Sequence, residues 1–151
     1  MTELITIPGR WDFEYNYFAG EAASRFFGEL KDNRRVMGVR CPSCDRVLVP
    51  ARSFCDRCFK RTQDWTEVGP EGVVETFTIL TAAFAGMPKP PVVIAYVTFD
   101  GADTALLNVV TGLDLSDVEA AADRLQRRPR VTASFIDEPQ GRITDFTFTL
   151  L

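Results

Sequence analysis

Two Cys-x-x-Cys pairs, Cys41–Cys44 and Cys55–Cys58, stand ten residues apart in a chain that has no other cysteine and no histidine. Few features restrict a fold so tightly. Each pair presents two thiolates from one tight turn, and two pairs together surround a single ion with a tetrahedron of sulfur. Zinc is the expected ion, and an iron tetrathiolate has the same geometry. With Cys41, Cys44, Cys55 and Cys58 all ligating, no position is left for a substrate or an activated water. Such a site staples the chain and does not catalyse. A redox dithiol needs only one pair and a thioredoxin-like βαβ setting, which is missing. The residue after each pair must let backbone amides face the sulfurs. Glycine is usual there; Asp45 tolerates a left-handed turn, and Phe59 is less expected.

The charge is divided unevenly. Residues 31–61 hold nine Lys/Arg and three acids, whereas the rest of the chain holds eight and eighteen. A small basic unit is thus joined to an acidic one, a pattern that points to a local anion partner and not to wholesale coating by nucleic acid. No run of eighteen apolar residues is present, so no membrane span is expected. The opening MTELITIPGRWDFEYN has no basic stretch followed by an apolar one, so no secretory signal is expected either. A cytoplasmic, reducing location follows by default, and it favours a metal site over disulfides.

Three sections are visible. In the first, 1–36, Phe18, Ala22, Phe26 and Leu30 recur at four-residue spacing, which predicts a helical arm from Trp11 to Arg34. Ala23 and Phe27 widen its apolar face, and Gly20 and Gly28 weaken it. Residues 11–27 carry seven of the seventeen aromatic residues, more than a short helix can bury on a small body, so part of this surface is expected to meet another subunit. The second section, 37–68, is the cysteine segment. The third, 69–151, reads as strands and turns. In GVVETFTIL, Val73, Glu75, Phe77 and Ile79 alternate with Val74, Thr76, Thr78 and Leu80. PPVVIAYVTFDG and TALLNVVTG meet at Asp100-Gly101, a hairpin signal. A helix over 116–128 is expected, with Ser116 as N-cap, Glu119 completing a capping box, and Ala121, Ala122 and Leu125 on its apolar face. VTASFID and RITDFTFTL close the chain, and Thr144, Phe146, Phe148 and Leu150 share one face of the last strand. Five strands with a helix before the fourth predict a mainly β protein: N-terminal helices, a four-cysteine ribbon and a five-stranded OB-fold-like barrel. A five-stranded sandwich fits the same pattern.

The order Cys-x2-Cys-x5-Pro-x-Arg-x2-Cys-x2-Cys, carried by Cys41, Cys44, Pro50, Arg52, Cys55 and Cys58, resembles the DUF35 family. The resemblance implies a helical arm, a rubredoxin-like zinc ribbon and a C-terminal OB-fold. It also implies an accessory subunit beside acyl-CoA enzymes: thiolases, hydroxymethylglutaryl-CoA synthases, thiolase-like aldolases and hydratases. In one branch the partner cleaves benzoylsuccinyl-CoA. The residues agree that catalysis sits elsewhere. Thioester transfer needs a nucleophilic cysteine and a base, and every cysteine here is already a ligand. Acid pairs such as Asp100 with Asp103, or Asp137 with Glu138, lie in turns and read as solvated. The phosphates of a coenzyme A ester would suit Arg52, Arg57, Lys60 and Arg61, and the loop with Phe84, Met87 and Lys89 would suit its pantetheine arm or the partner. The competing reading is a single-stranded nucleic-acid binder of ribbon and OB-fold, which should interleave Lys/Arg with exposed aromatics on its strands. Segments 73–80, 92–99 and 104–111 hold neither Lys nor Arg.

Overall fold

The computed structural model describes residues 5–83 and 85–151. Residues 5–20 have no regular secondary structure, and the first helix, α1, spans Glu21–Asn33. The helix therefore starts ten residues later than the four-residue spacing predicted. Gly20 decides the start with φ 82°, a left-handed conformation that helical residues cannot share. Upstream of it, Trp11, Phe13, Tyr15 and Tyr17 alternate with Asp12, Glu14 and Asn16, a period of two that does not suit a helix. Phe26 and Leu30 are buried as expected, whereas Phe18 is exposed. Each of those buried side chains contributes about 1.5–3 kcal/mol. Gly28 stays within the helix, which ends where Arg34 turns left-handed.

The chain then forms a three-stranded antiparallel sheet in the order β2-β1-β3, made of β1 (Val36–Arg40), β2 (Val47–Leu48) and β3 (Asp64–Val68). Gly38 lets β1 approach β2 closely, since a Cβ there would lie 2.7 Å from Val47 Cγ1.

Five further strands close into a barrel in the order β4-β5-β6-β8-β7: β4 (Glu71–Leu80), β5 (Val92–Phe99), β6 (Ala105–Thr111), β7 (Arg130–Phe135) and β8 (Phe146–Leu150). Pairing of β4 with β7, together with the parallel β6–β8 pair, closes the sheet and rules out the sandwich. The β5–β6 hairpin turns at Asp100-Gly101 as expected. In β4 a bulge falls between Val74 and Thr76, so the strict alternation read for that strand breaks. Gly72 and Val74 are buried before the bulge, and Phe77, Ile79 and Leu80 are half-buried after it.

The second helix, α2 (Val118–Gln126), lies between β6 and β7 in the chain and buries Ala121 and Leu125. Its N-cap is Asp117, whose carboxylate accepts the Ala120 amide at 3.0 Å. Ser116, the expected cap, is committed one turn earlier, donating its amide and hydroxyl to Asp114 at 2.9 and 2.7 Å. No described helix is long and apolar enough to cross a membrane.

One apolar core runs through both sheets. Phe99, Phe146 and Phe148 pack with ring centroids 5.4–6.4 Å apart, and Val39, Leu48 and Val49 continue the cluster towards Phe26 and Leu30. A backbone latch adds to it. Val47 donates its amide to Asp103 (2.8 Å) and accepts the Asp103 amide (2.8 Å), while Val49 donates to the Thr104 hydroxyl (2.7 Å) and accepts it back (2.8 Å). The turn β5–β6 thereby occupies the outer edge of β2.

Candidate metal centre and an adjoining basic cavity

The two cysteine turns are built alike. Cys41 follows β1; its amide donates to the Arg46 carbonyl at 2.8 Å, and its carbonyl accepts the Asp45 amide at 3.0 Å. In the second turn the Cys55 amide donates to Lys60 at 2.9 Å, and the Cys55 carbonyl accepts from Phe59 at 3.0 Å. Asp45 and Phe59 both adopt the left-handed conformation, φ 56° and 58°. The local geometry overrides the preference against an aromatic residue there. Arg40 holds the first turn through the Asp45 carbonyl (3.0 Å) and carboxylate (2.9 Å).

These turns bring all four Sγ atoms within 4.8 Å of one another, with Cys41 and Cys58 at 3.5 Å. Metal–sulfur bonds of about 2.3 Å place tetrahedral sulfurs about 3.8 Å apart, so the cluster has the right size for one ion. None of the thiols is in a disulfide. Backbone amides of Cys44 and Arg57 point at the sulfurs of Cys41 and Cys55, each at 3.4 Å. The Lys60 amide holds the Cys58 thiol below its usual range. The Cys44 thiol, hydrogen-bonded to Cys58, partly desolvated and beside the other sulfurs, is pushed up to about 12. Holding all four crowded sulfurs as thiolates would require a cation to balance their charge. Cys41 and Cys55 are buried and Cys44 and Cys58 half-buried, so the donor set fits a closed structural ion.

Beside this centre lies a cavity of about 290 Å³ between the start of α1 and the ribbon, lined by Glu21, Arg25, Arg52, Arg61, Gln63 and Trp65 among others. Arg25 stacks on Trp65 with its guanidinium carbon 4.5 Å from the ring centroid. Arg52 also pairs with Asp56 at 3.5 Å. Of the basic residues singled out from sequence, Arg52 and Arg61 therefore meet, while Arg57 and Lys60 lie exposed on the second cysteine turn and do not line the cavity. Met87 and Lys89 are exposed on the β4–β5 loop, away from the cavity lining. Phe84 lies outside the described residues. Arg25 and Trp65 were missed in the sequence. One signal was available: Arg61, Gln63 and Trp65 alternate, so an extended chain shows them on one face.

Comparison with known proteins agrees with this architecture. The model of the ChsH2 rubredoxin-like zinc ribbon domain matches residues 29–63, and that of the ChsH2 C-terminal OB-fold domain matches residues 65–135. A DUF35 domain-containing scaffold protein of Methanocaldococcus jannaschii is 28% identical over 78 residues, half of this chain. The match spans 55% of that relative's length. A crystal structure of a DUF35-family protein of unknown function from Sulfolobus solfataricus is similar in fold, with TM-score 0.62 and 24% identity over 87% of each chain. The Ltp2-ChsH2(DUF35) aldolase structure contains a chain similar in fold, with TM-score 0.60 and 18% identity, covering 89% of this chain and 97% of that one. A four-cysteine ribbon latched to a closed five-stranded barrel, matched in both halves, makes this chain a member of the DUF35 family.

Proposed function

We propose that the chain is a non-catalytic accessory subunit of an acyl-CoA-processing complex, partnered by a thiolase-type enzyme and working in the cytoplasm. The observation that carries this reading is the gathering of all four cysteines into one closed cluster in a chain without histidine. Acyl transfer through a thioester of the thiolase kind needs a free thiolate and a histidine or cysteine as base, and with all four cysteines in the cluster neither remains. The relatives support a helper role: one is named a scaffold, and another is a DUF35 chain in an aldolase. The division of labour we propose follows the chain: an arm over 1–36, a ribbon over 37–68 and a barrel over 69–151. Cys41, Cys44, Cys55 and Cys58 would hold zinc, which supplies a cross-link and balances the sulfur charge. Arg25, Arg52 and Arg61 would pair with the phosphates of the coenzyme A ester at the edge of the partner's site. The acyl group, benzoylsuccinyl in one branch, is chosen by the partner's pocket.

The test is to assay the purified chain and the purified thiolase-type partner separately and together. The chain alone should leave every acyl-CoA unchanged, and the complex should turn its substrate over. Arg52→Ala with Arg61→Ala should weaken acyl-CoA binding to the complex on the order of tenfold, as expected for lost charged contacts on a partly exposed phosphate. Turnover by the isolated chain would refute the reading.

A further inference from the structure

Residues 11–17 form a ridge of rings. Trp11, Phe13, Tyr15 and Tyr17 are 61–87% exposed, and successive ring centroids stand 5.6, 5.7 and 6.2 Å apart. An extended backbone places alternate side chains on one side, so Asp12, Glu14 and Asn16 occupy the other. Among the described residues the hydrogen bonding of 5–19 is confined to the local Arg10–Asp12 pair, which leaves the backbone amides of 11–17 without partners on the body. The segment is flanked by Gly9 and Gly20, and at each no atom lies within 4 Å of a would-be Cβ, so nothing packs against either end there.

The size is that of an interface. Four such rings offer on the order of 600–1,000 Å², and one side of a standard protein contact buries about 800 Å². The chain's own sheets cannot take this strand. The barrel is closed and has no edge. The outer edge of β2 is already bonded to Asp103 and Thr104. The free edge of β3 carries Asp64 on one face and Glu67, 3.3 Å from Arg35, on the other, so whichever way an added strand lies, Asp12 and Glu14 come beside a like charge. A second copy offers the same three surfaces and also its own segment 11–17, where strand pairing would set Asp12 and Glu14 against their like-charged counterparts.

We propose that residues 11–17 dock as an added strand on an open sheet edge of the partner enzyme. The rings fill an adjoining apolar groove, and basic side chains at its rim face Asp12 and Glu14. This rests on the accessory-subunit reading and specifies how that subunit attaches.

The experiment uses the full chain and the purified thiolase-type partner, with affinity read by titration calorimetry and amide exchange followed in 11–17. A W11A/F13A/Y15A/Y17A variant should keep the wild-type melting temperature and metal content, because the segment adds nothing to the core. Its affinity for the partner should fall on the order of 100-fold. In the wild-type complex the amides of 11–17 should exchange slowly, and in the free chain quickly. A variant that binds like wild type overturns the docking strand and leaves the accessory role intact. Slow exchange absent from a tight wild-type complex overturns it too. A wild-type chain that self-associates through these rings, seen by sedimentation of wild type against the variant, replaces the proposed occupant with a second copy. Failure of the wild type to bind the partner at all sinks both readings.

Discussion

The ribbon and the barrel are both antiparallel β structures, yet they are held by opposite means. The barrel closes its own hydrogen-bond ladder and fills its interior with Phe99, Phe146, Phe148 and the inward valines of β5. The ribbon has a two-residue β2, and its two cysteine turns lie on the surface except for Cys41 and Cys55. So small a unit cannot bury enough apolar surface to order its own loops. Around those loops the four sulfurs, and the ion they would hold, take the place of a core. The difference teaches where each half is vulnerable: the ribbon to chelation, the barrel to cavities.

Metal removal should separate the two most sharply. Binding a structural zinc to a small ribbon is worth about 10–16 kcal/mol in isolated peptides. A strong chelator, or Cys55→Ser, should release the turns at 41–62 to rapid amide exchange while barrel amides stay slow. If the barrel melts together with the ribbon, the shared core through Val39, Leu48 and Val49 makes them one cooperative unit and the contrast fails. The reverse change comes next. Phe146→Ala opens a cavity at the centre of the barrel and should lower global stability by about 3–5 kcal/mol, with the metal retained until the melt itself.

Asp145 tests the barrel's polar closure. It is buried and accepts the amides of Gln140, Gly141 and Arg142 at 2.9, 2.6 and 2.8 Å, so the β7–β8 connection is folded over one carboxylate. Burial raises its pKa, but the three amides and Arg142 outweigh that and leave it below the usual range. A folded-state pKa lowered in this way stabilises the fold fully above the unfolded value, near 3.9, and the contribution is lost as pH falls below it. Asp145→Asn should cost roughly 1.5–3 kcal/mol at neutral pH and flatten the acid limb of a pH series of thermal melts. The smallest effect belongs to the latch. Asp103→Ala leaves the Val47 amide without its partner and should cost about 1 kcal/mol, read as faster exchange in β2 with little change in barrel strands.

How far the fold could be read depended on the reach of each signal. The cysteine turns were legible because ligand spacing is local and their chemistry admits few alternatives. The Asp100-Gly101 hairpin and the last strand were legible for a similar reason: turn residues and alternation act within a few positions. The arm was misread because two periods overlap there. Phe18, Ala22, Phe26 and Leu30 match a helix, but Trp11 to Tyr17 match a strand, and Gly20 separates them. The cap of α2 slipped by one residue because Ser116 is taken by Asp114, a competition between two local bonds that spacing does not rank. The β4 bulge depends on its partner strand, which no window within 71–80 contains.

By itself, the sequence determined the closed sulfur site, the absence of a histidine base and the count of barrel strands, since residue type and short-range spacing settle these. Tertiary structure alone decided that the sheet closes, that the β5–β6 turn grips the ribbon, and that Arg25 on α1 meets Arg52, Arg61 and Trp65 around one cavity. Those contacts join residues tens of positions apart. Their energy comes from burying shared surface and pairing distant backbone groups, and no local pattern records which of the many compatible pairings does so.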